Sequence, residues 1–314
     1  MKNVSSTAAQ RGVALLVALL VVALVTLLVA GLLDRGELSA ARTRNSLRAA
    51  QATAYAQGLE DYAAHVLRAA QIEQPNFDTN SDIWAIPLPP TPVPGGTISA
   101  RMRDMNGCFN LNNLGSNNAD YPKYFKRLLR ALQLDPTLAN VIIDWLSISP
   151  TASSGGAKDN FYLAQPLPYR SANRVFAHVS ELRLLKGVDN NVYQALAPYV
   201  CVLPTGSMIN INTATVPILR MLSDSMTEDQ ATRIWSNGQA HYLSLEAVGE
   251  DLKQKQIALD GDAALIFGVQ STYFQARGDI TLDALPFTFF SLIEHRNNGA
   301  DAGIRVLARY RGSD

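Results

Sequence analysis

Cysteine is scarce in this 314-residue sequence, which contains only Cys108 and Cys201. Two thiols are too few for a disulfide scaffold or for a zinc site made of four cysteines. If the main part of the chain is exported, a disulfide between the two is expected. Two buried, unpaired thiols are the alternative.

The chain also lacks a net charge, because 27 lysines and arginines stand against 27 aspartates and glutamates. This balance excludes a strongly basic nucleic-acid binder. The sequence has no His-Glu-x-x-His pair, no Gly-x-Ser-x-Gly elbow and no Walker-type glycine loop, and its four histidines lie far apart. We therefore predict that the chain is not an enzyme. The alternative is an anchored envelope enzyme whose catalytic groups converge from distant loops.

Charge is absent from residues 13–33, which form one apolar run. As a helix, this run would cover roughly the 30 Å thickness of the hydrocarbon core of a membrane. Lys2 and Arg11 precede it, so the positive-inside rule keeps the amino terminus in the cytoplasm and exports everything after Asp34. A cleaved secretory signal is the competing interpretation, but its apolar core is normally only about 7–15 residues long.

The junction Gln10-Arg11-Gly12-Val13, where a basic residue and a glycine abut the apolar run, resembles that of type IV prepilins. The resemblance implies that the prepilin peptidase removes residues 1–12 by cutting between Gly12 and Val13, and that the helix stays attached. A plain uncleaved anchor is the alternative. Small and branched side chains allow helices to approach closely in lipid. The candidate positions for such packing are Ala14, Leu16, Val17 and Leu20.

The fifth position of the implied mature chain is Val17, where most pilins carry a glutamate that can neutralise the amino terminus of the next subunit. A carboxylate buried in lipid is costly without a partner. A subunit with no neighbour above it would have no use for one. The absence therefore predicts a position at the tip of a filament, and simple optimisation of the anchor is the alternative.

The helix is expected to continue past the membrane, because residues 34–74 contain no proline and are rich in strong helix formers. Pro75 should end it. An apolar stripe at three- and four-residue spacing should pack on a domain. Its members are Leu59, Tyr62, Val66 and Ala69.

Strand-like patterns lie on both sides of a helical middle. They cover residues 97–105, 272–276, 287–294 and 304–310, with a proline-rich extended piece at 84–94. Residues 304–310 alternate between apolar and mostly basic side chains, so the last strand should be exposed on one face only.

The helical middle contains a weak repeat. Phe109-Asn110-Leu111-Asn112 recurs as Ile209-Asn210-Ile211-Asn212, and a helical segment follows each copy at the same offset. The acceptors in Asp135-Pro136-Thr137 and Thr227-Glu228-Asp229 can begin a second helix in each copy. We predict two helix hairpins, each preceded by a turn whose asparagines bond nearby backbone groups.

These patterns together predict an α+β protein with a type IV pilin-like fold, in which a large all-α domain is inserted into a small antiparallel sheet. The predicted parts are a leader at 1–12, the transmembrane part of the helix at 13–33, the remaining helix and first strands at 34–110, the inserted helical domain at 111–270 and the last strands at 271–314.

Several motifs, in the same order along nearly the whole chain, resemble the K-type minor pseudopilins of type II secretion. They are the leader junction, Cys108-Phe109-Asn110-Leu111-Asn112, Asp144-Trp145, Tyr169-Arg170-Ser171-Ala172-Asn173, Ser180-Glu181-Leu182-Arg183 and Ile209-Asn210-Ile211-Asn212-Thr213-Ala214. The resemblance implies a subunit that caps the pseudopilus with I- and J-type partners and helps to start assembly. It also implies that the chain interacts with the major pseudopilin, the prepilin peptidase and the secretion platform. The implied location is the bacterial inner membrane, crossed once, with the main domain in the periplasm.

The resemblance further implies calcium in the large domain, for which Asp144 and Asp159 are the candidate ligands. Many members are acidic after the Asp-Trp pair, whereas this chain has Leu146-Ser147-Ile148-Ser149 there. Calcium takes six to eight oxygens, usually several from carboxylates. Ordinary acids in a loop or at a helix end are therefore the alternative.

Paired helix hairpins can also bind DNA, which makes an anchored DNA-uptake receptor the rival function. Such hairpins meet phosphates with glycine-rich turns and basic residues. The turns Leu134-Asp135-Pro136 and Met226-Thr227-Glu228 have neither, so no nucleic-acid partner is predicted.

Overall fold

The amino-terminal element is a helix that begins at Thr7 and ends at Glu73. The computed structural model describes residues 7–257, 259, 260, 262–296 and 303–312, and the side chains of residues 7–12 are not among what it describes. The chain divides into two units, Met1–Tyr55 and Ala56–Asp314. The helix ends shortly before Pro75, as the sequence predicts, because a helix cannot continue through the ring of proline without losing a hydrogen bond.

The helices in chain order are α1 (Thr7–Glu73), α2 (Asp120–Ala131), α3 (Leu138–Leu146), α4 (Asp159–Tyr162), α5 (Asn190–Leu196), α6 (Val216–Leu219), α7 (Glu228–Trp235) and α8 (Leu245–Gln254). The strands are β1 (Leu88–Val93), β2 (Gly96–Asp104), β3 (Phe109–Asn110), β4 (Val200–Cys201), β5 (Ile209–Asn210), β6 (Phe267–Gly268), β7 (Tyr273–Leu282), β8 (Leu285–Arg296) and β9 (Gly303–Arg311).

Five strands form one antiparallel sheet in the order β1-β2-β7-β8-β9. Strand β2 pairs with β7 along its whole length, from Gly96 opposite Leu282 to Asp104 opposite Phe274. The sheet therefore joins chain segments that lie before and after the helical middle. The predicted α+β architecture is confirmed.

The second unit buries one face of the carboxy-terminal part of α1 against this sheet. Leu59 and Val66 are buried as predicted, but Tyr62 is 42% exposed and Ala69 is only partly buried. The buried face is lined instead by alanines seven residues apart, Ala56, Ala63 and Ala70. These small side chains let the helix lie close to the sheet, so the prediction erred by weighting large side chains.

The close approach explains a glycine in the sheet. A Cβ atom on Gly278 of β7 would lie 2.7 Å from Cδ1 of Leu59 on α1, which is closer than real Cβ contacts. The apolar layer between helix and sheet is completed by Trp84, Phe274 and Ile293. Helix and sheet thus form the small pilin-like core.

Strand β9 differs from its prediction. It was expected to bury one face, but only Ile304 is partly buried, while Val306 and Tyr310 are 41% and 39% exposed. The strand lies at the edge of the sheet, and Tyr310 stacks on Phe290 of β8 with ring centroids 5.2 Å apart. An alternating sequence predicts a strand, but whether a face is covered depends on what packs against it.

The helical middle has its own, larger apolar core. Two helix pairs occur near the predicted positions: α2 with α3, and α6 with α7. The second pair opens with the short α6 followed by a 3-10 turn at Arg220–Leu222. Thr227 caps α7 by accepting from the Gln230 amide at 3.3 Å, as its side-chain acceptor predicts.

The internal repeat is visible as two parallel strand pairs. Phe109 and Asn110 of β3 pair with Val200 and Cys201 of β4. Ile209 and Asn210 of β5 pair with β6 in the same way. Each copy of the asparagine motif therefore begins as a two-residue strand held by a distant segment.

Candidate functional site

A continuous exposed apolar surface lies on the first unit. Every side chain from residue 13 to residue 33 is exposed, and the helix carries an 18-residue window of mean hydropathy 3.2. The predicted packing positions share this exposure, with Leu16 at 68%, Val17 at 53% and Leu20 at 71%, and Ala14 exposed beside them. The helix is long and apolar enough to cross a membrane, a property that it shares with signal sequences. Such a surface can contact lipid or the helices of other subunits.

The predicted processing site lies at the edge of what the structure describes. Residues 1–6 of the leader, and the side chains of residues 7–12, are outside the described residues. The helical backbone runs through the Gly12–Val13 bond without a break. Cleavage between these two residues stays a prediction.

The predicted disulfide is present in the structure. Cys108 and Cys201, which are 93 residues apart, are joined with a Cα–Cα distance of 5.9 Å. Both are buried in a cluster with Leu203 of the helical middle and Tyr273 of β7. The alternative of two unpaired thiols is wrong. The bond fastens β3 to β4 where the helical middle meets the sheet.

The asparagines of the first motif copy reach further than predicted. The Asn110 carboxamide oxygen accepts from the Asn112 amide at 3.1 Å, which is the expected local turn. The same oxygen also accepts from the Leu203 amide at 3.0 Å. Asn112 exchanges two hydrogen bonds with the backbone of Phe176, at 2.8 and 3.2 Å.

The second copy repeats this arrangement with different partners. Asn210 accepts from the Asn212 amide at 2.9 Å, and Asn212 exchanges two hydrogen bonds with the Tyr242 backbone at 2.7 and 2.9 Å. The predicted local turn bonds are therefore present in both copies, and each copy also holds a distant segment. A carboxamide offers both a donor and an acceptor, so it can substitute for a strand partner and hold a distant loop.

A buried acidic network connects β2 to the second motif copy, and no pattern in the sequence indicated it. Asp104 accepts from Ser271 Oγ at 2.6 Å and from Thr213 Oγ1, and Asn210 lies at 3.4 Å. Asp78 accepts from the Ser271 amide at 2.7 Å. Burial raises the pKa of Asp104 and raises the pKa of Asp78 to about 7, with the Asp104 charge adding to the effect on Asp78.

A second buried carboxylate ties α1 to the edge strand of the sheet. Glu60 accepts from Arg309 Nε of β9 at 2.6 Å and also from Arg309 Nη2 and Ser291 Oγ. Although burial opposes it, hydrogen bonding to Arg309 and Ser291 holds the pKa of Glu60 below its usual range. A lone glutamate within an apolar stripe is the sequence signal that could have revealed this contact.

The charges of the two predicted calcium ligands both act on one buried lysine, Lys158. Asp144 is near the end of α3 and accepts from the Ser153 amide at 2.9 Å. Asp159, the first residue of α4, accepts from the amide and hydroxyl of Ser171 at 2.9 and 2.7 Å. Lys158 is 2% exposed; burial lowers its pKa, and the charges of Asp144 and Asp159 act on it in the opposite direction.

The oxygen donors around this lysine do not form a calcium site. Among the described residues, no group of three or more histidine, cysteine, aspartate or glutamate side chains is placed to hold a metal ion. Calcium requires six to eight oxygens, and the charge of the buried Lys158 already interacts with both carboxylates. The residues present therefore do not fit calcium.

Three of the four histidines have separate packing or hydrogen-bonding roles. His178 accepts from the Ser180 amide at 3.2 Å and caps the turn Val179–Leu184. His241 packs edge-on against Phe77, and His295 bonds Gln71 Oε1 at 2.9 Å. Each of these three histidines therefore has a separate partner in the fold.

Comparison with known proteins gives consistent results. The family model described as Type II secretion system (T2SS), protein K matches residues 107–205. The Type II secretion system protein K of Pseudomonas aeruginosa is 34% identical, over 96% of this chain and 93% of its own length. The protein of the same name from Pectobacterium carotovorum is 37% identical, over 71% of this chain and 73% of its own length.

A solved structure is also similar. A chain in the crystal structure of the GspK-GspI-GspJ complex from the enterotoxigenic Escherichia coli type 2 secretion system superposes with a TM-score of 0.75. It is 26% identical, and the match covers 87% of this chain and all of that chain. The likeness therefore includes both the pilin-like core and the helical middle.

Proposed function

The chain belongs to the type II secretion system protein K family, the minor pseudopilins of that system, and we propose from this membership that it lies at the tip of the secretion pseudopilus. There it would start assembly with the I- and J-type minor pseudopilins and cap the filament for protein export across the outer membrane. The observation that carries the proposal is an exposed, uncharged helical surface from residue 13 to residue 33 in a member of this family.

The anchor supports the membrane part of the proposal. After removal of residues 1–12 by the prepilin peptidase, the helix would begin at Val13 and cross the inner membrane once. The packing positions Ala14, Leu16 and Leu20 are exposed on it, and in lipid such a surface associates with other apolar helices by close packing. The main domain would then lie in the periplasm, where the disulfide is chemically expected.

Val17 supports the tip position. It is 53% exposed and cannot provide a carboxylate to the amino terminus of a subunit above it. The inserted helices between β2 and β7 add bulk that a simple pilin head lacks. A subunit that neither attracts nor accommodates a neighbour above it, but keeps an apolar surface for neighbours beside and below, is suited to a tip.

The test is to place glutamate at Val17 in the complete secretion system, with Val17→Leu as the apolar control. A carboxylate in the membrane without a partner is destabilising by up to about 3 kcal/mol. We expect Val17→Glu to reduce incorporation, lower secretion several-fold and change pseudopilus length, whereas Val17→Leu should behave as wild type. Both samples should show a mature amino terminus at Val13 on sequencing. Normal secretion and filament length in Val17→Glu would contradict the tip position.

A further inference from the structure

The backbone of the loop between α3 and α4 is held in place by hydrogen bonds with surrounding side chains. Asn140 of α3 donates to the Ser154 carbonyl at 2.8 Å, and Lys186 donates to the Gly156 carbonyl at 3.2 Å. Asp144 accepts from the Ser153 amide at 2.9 Å. Each of these bonds satisfies a backbone group that would hydrogen-bond to water in an unattached loop.

Lys158 is the charged side chain among the groups that hold this loop. Its ammonium donates to the Ser147 carbonyl at 2.5 Å and to Asn173 Oδ1 at 2.9 Å. The side chain is almost completely buried, and the carboxylates of Asp144 and Asp159 both act on its charge. A buried lysine is rare unless oxygen acceptors and negative charge surround it.

We infer that the ammonium of Lys158 is the built-in cation of this loop, in the place where a bound divalent cation would otherwise neutralise Asp144 and Asp159. The carbonyl of Ser147, the amide oxygen of Asn173 and two carboxylates are oxygen donors of the kind that calcium takes. In this chain the first two accept hydrogen bonds from a covalently attached ammonium, and the charges of the two carboxylates act on it. The inserted helical domain therefore keeps this loop folded without calcium.

The surroundings of the carboxylates agree with this assignment. A Cβ atom on Gly156 would lie 1.8 Å from Asp144 Oδ2, so the loop backbone is already pressed against that oxygen. Asp159 Oδ1 already accepts a hydrogen bond from Ser171, and Asp159 Oδ2 accepts one from Arg170 at 3.2 Å. An added divalent ion would have to displace these donors and would be repelled by the lysine.

The experiment compares the melting temperature of the full chain in detergent with calcium chloride and with a chelator. The wild-type melting temperature should be the same in both. Lys158→Ala should melt on the order of 5 °C lower in chelator, because it loses two buried hydrogen bonds and the buried positive charge that acts on both carboxylates. Millimolar calcium should then raise its melting temperature, since the oxygen donors remain.

Lys186→Met is the matched control, because Lys186 bonds the same loop at the Gly156 carbonyl. Its melting temperature should not respond to calcium. If Lys158→Ala does not fold, Lys158→Gln, which keeps a donor without the charge, replaces it. Calcium-dependent melting of the wild type would overturn the inference, and so would a Lys158→Ala variant that is as stable as wild type or that ignores calcium. Secretion is not the readout, so failure here leaves the proposed function standing.

Discussion

The raised pKa of Asp78 predicts a loss of stability between pH 5 and pH 8, and Asp78→Asn is expected to remove it. Asp78 is 9% exposed, it shares Ser271 as a hydrogen-bond donor with the buried Asp104, and its pKa is raised from 3.8 to about 7. Each tenfold change in proton affinity corresponds to about 1.4 kcal/mol. The whole effect is therefore about 4 kcal/mol, of which about 3 kcal/mol falls above pH 5.

The sign follows from the proton counts of the two states. Below pH 3.8 the Asp78 carboxyl is protonated in both the folded and the unfolded chain, so it contributes no pH dependence. Between pH 3.8 and about 7 the unfolded chain releases this proton while the folded chain keeps it, and the free energy of unfolding falls as the pH rises. Above about pH 7 both states are ionised and the penalty is constant.

The contributions of other titratable groups to the pH dependence of stability must be separated from that of Asp78. Burial lowers the pKa of His295, so His295 adds stability as the pH rises, which opposes the effect of Asp78. Asp224 and Asp262 have pKa values lowered to about 2 and lose their contributions only in strong acid. The difference between wild type and Asp78→Asn at each pH cancels these terms and leaves Asp78 with its coupling to Asp104.

The assay is urea unfolding of the full chain in detergent at half-unit steps from pH 5 to pH 8. The carboxamide introduced by Asp78→Asn keeps an oxygen for the Ser271 amide, so the variant should exceed wild type by about 1 kcal/mol near pH 5 and by about 4 kcal/mol at pH 8. The exposed Asp229→Asn is the control and should follow wild type throughout. Parallel curves for wild type and Asp78→Asn would show that Asp78 ionises freely in the folded chain and would refute the reasoning.

Two further changes test the covalent and ionic links. Replacing Cys108 and Cys201 with alanine should lower the free energy of unfolding by up to about 4.6 kcal/mol, from the entropy of a loop with a 93-residue separation; urea unfolding with and without reductant should differ for wild type and coincide for the variant. Glu60→Gln should cost about 1–3 kcal/mol near pH 7, because Arg309 loses its carboxylate and is itself only one-third exposed. The pKa of Glu60 is lowered, so this cost should fade as the pH falls below 4.5, and a loss that persists unchanged in acid would contradict the ionic explanation.

The parts of this fold that depend on local sequence could be predicted. Helix α1 required only a long stretch without proline, and the capping of α7 by Thr227 required only a hydroxyl at the right position. The exposed apolar run from residue 13 needed no partner to be recognised. Each of these features depends only on residues that lie close together in the sequence.

The features that depend on distant partners could not be predicted. The exposure of Tyr62 and of β9 follows from which surfaces meet in three dimensions. Lys158 looked like a loop residue, because its acceptor Asn173 lies in another segment and its burial has no local signature. Asp78 and Asp104 are ordinary acids in the sequence and become unusual only when the fold brings them together.

A comparison of the two motif copies shows what the disulfide stabilises. Its main effect is on the junction between the helical middle and the sheet, rather than on the closure of its own loop. Asn112 holds a residue 64 positions away and Asn212 one 30 positions away, through the same pair of backbone hydrogen bonds. A doubling of loop length costs only about 0.6 kcal/mol in closure entropy, which is too little to explain why only the first copy carries a disulfide. The cystine instead packs on Tyr273 of the sheet, and Cys108 Sγ lies 2.9 Å from the Met105 carbonyl just after β2. The bond therefore fixes the inserted helices to the pilin-like sheet.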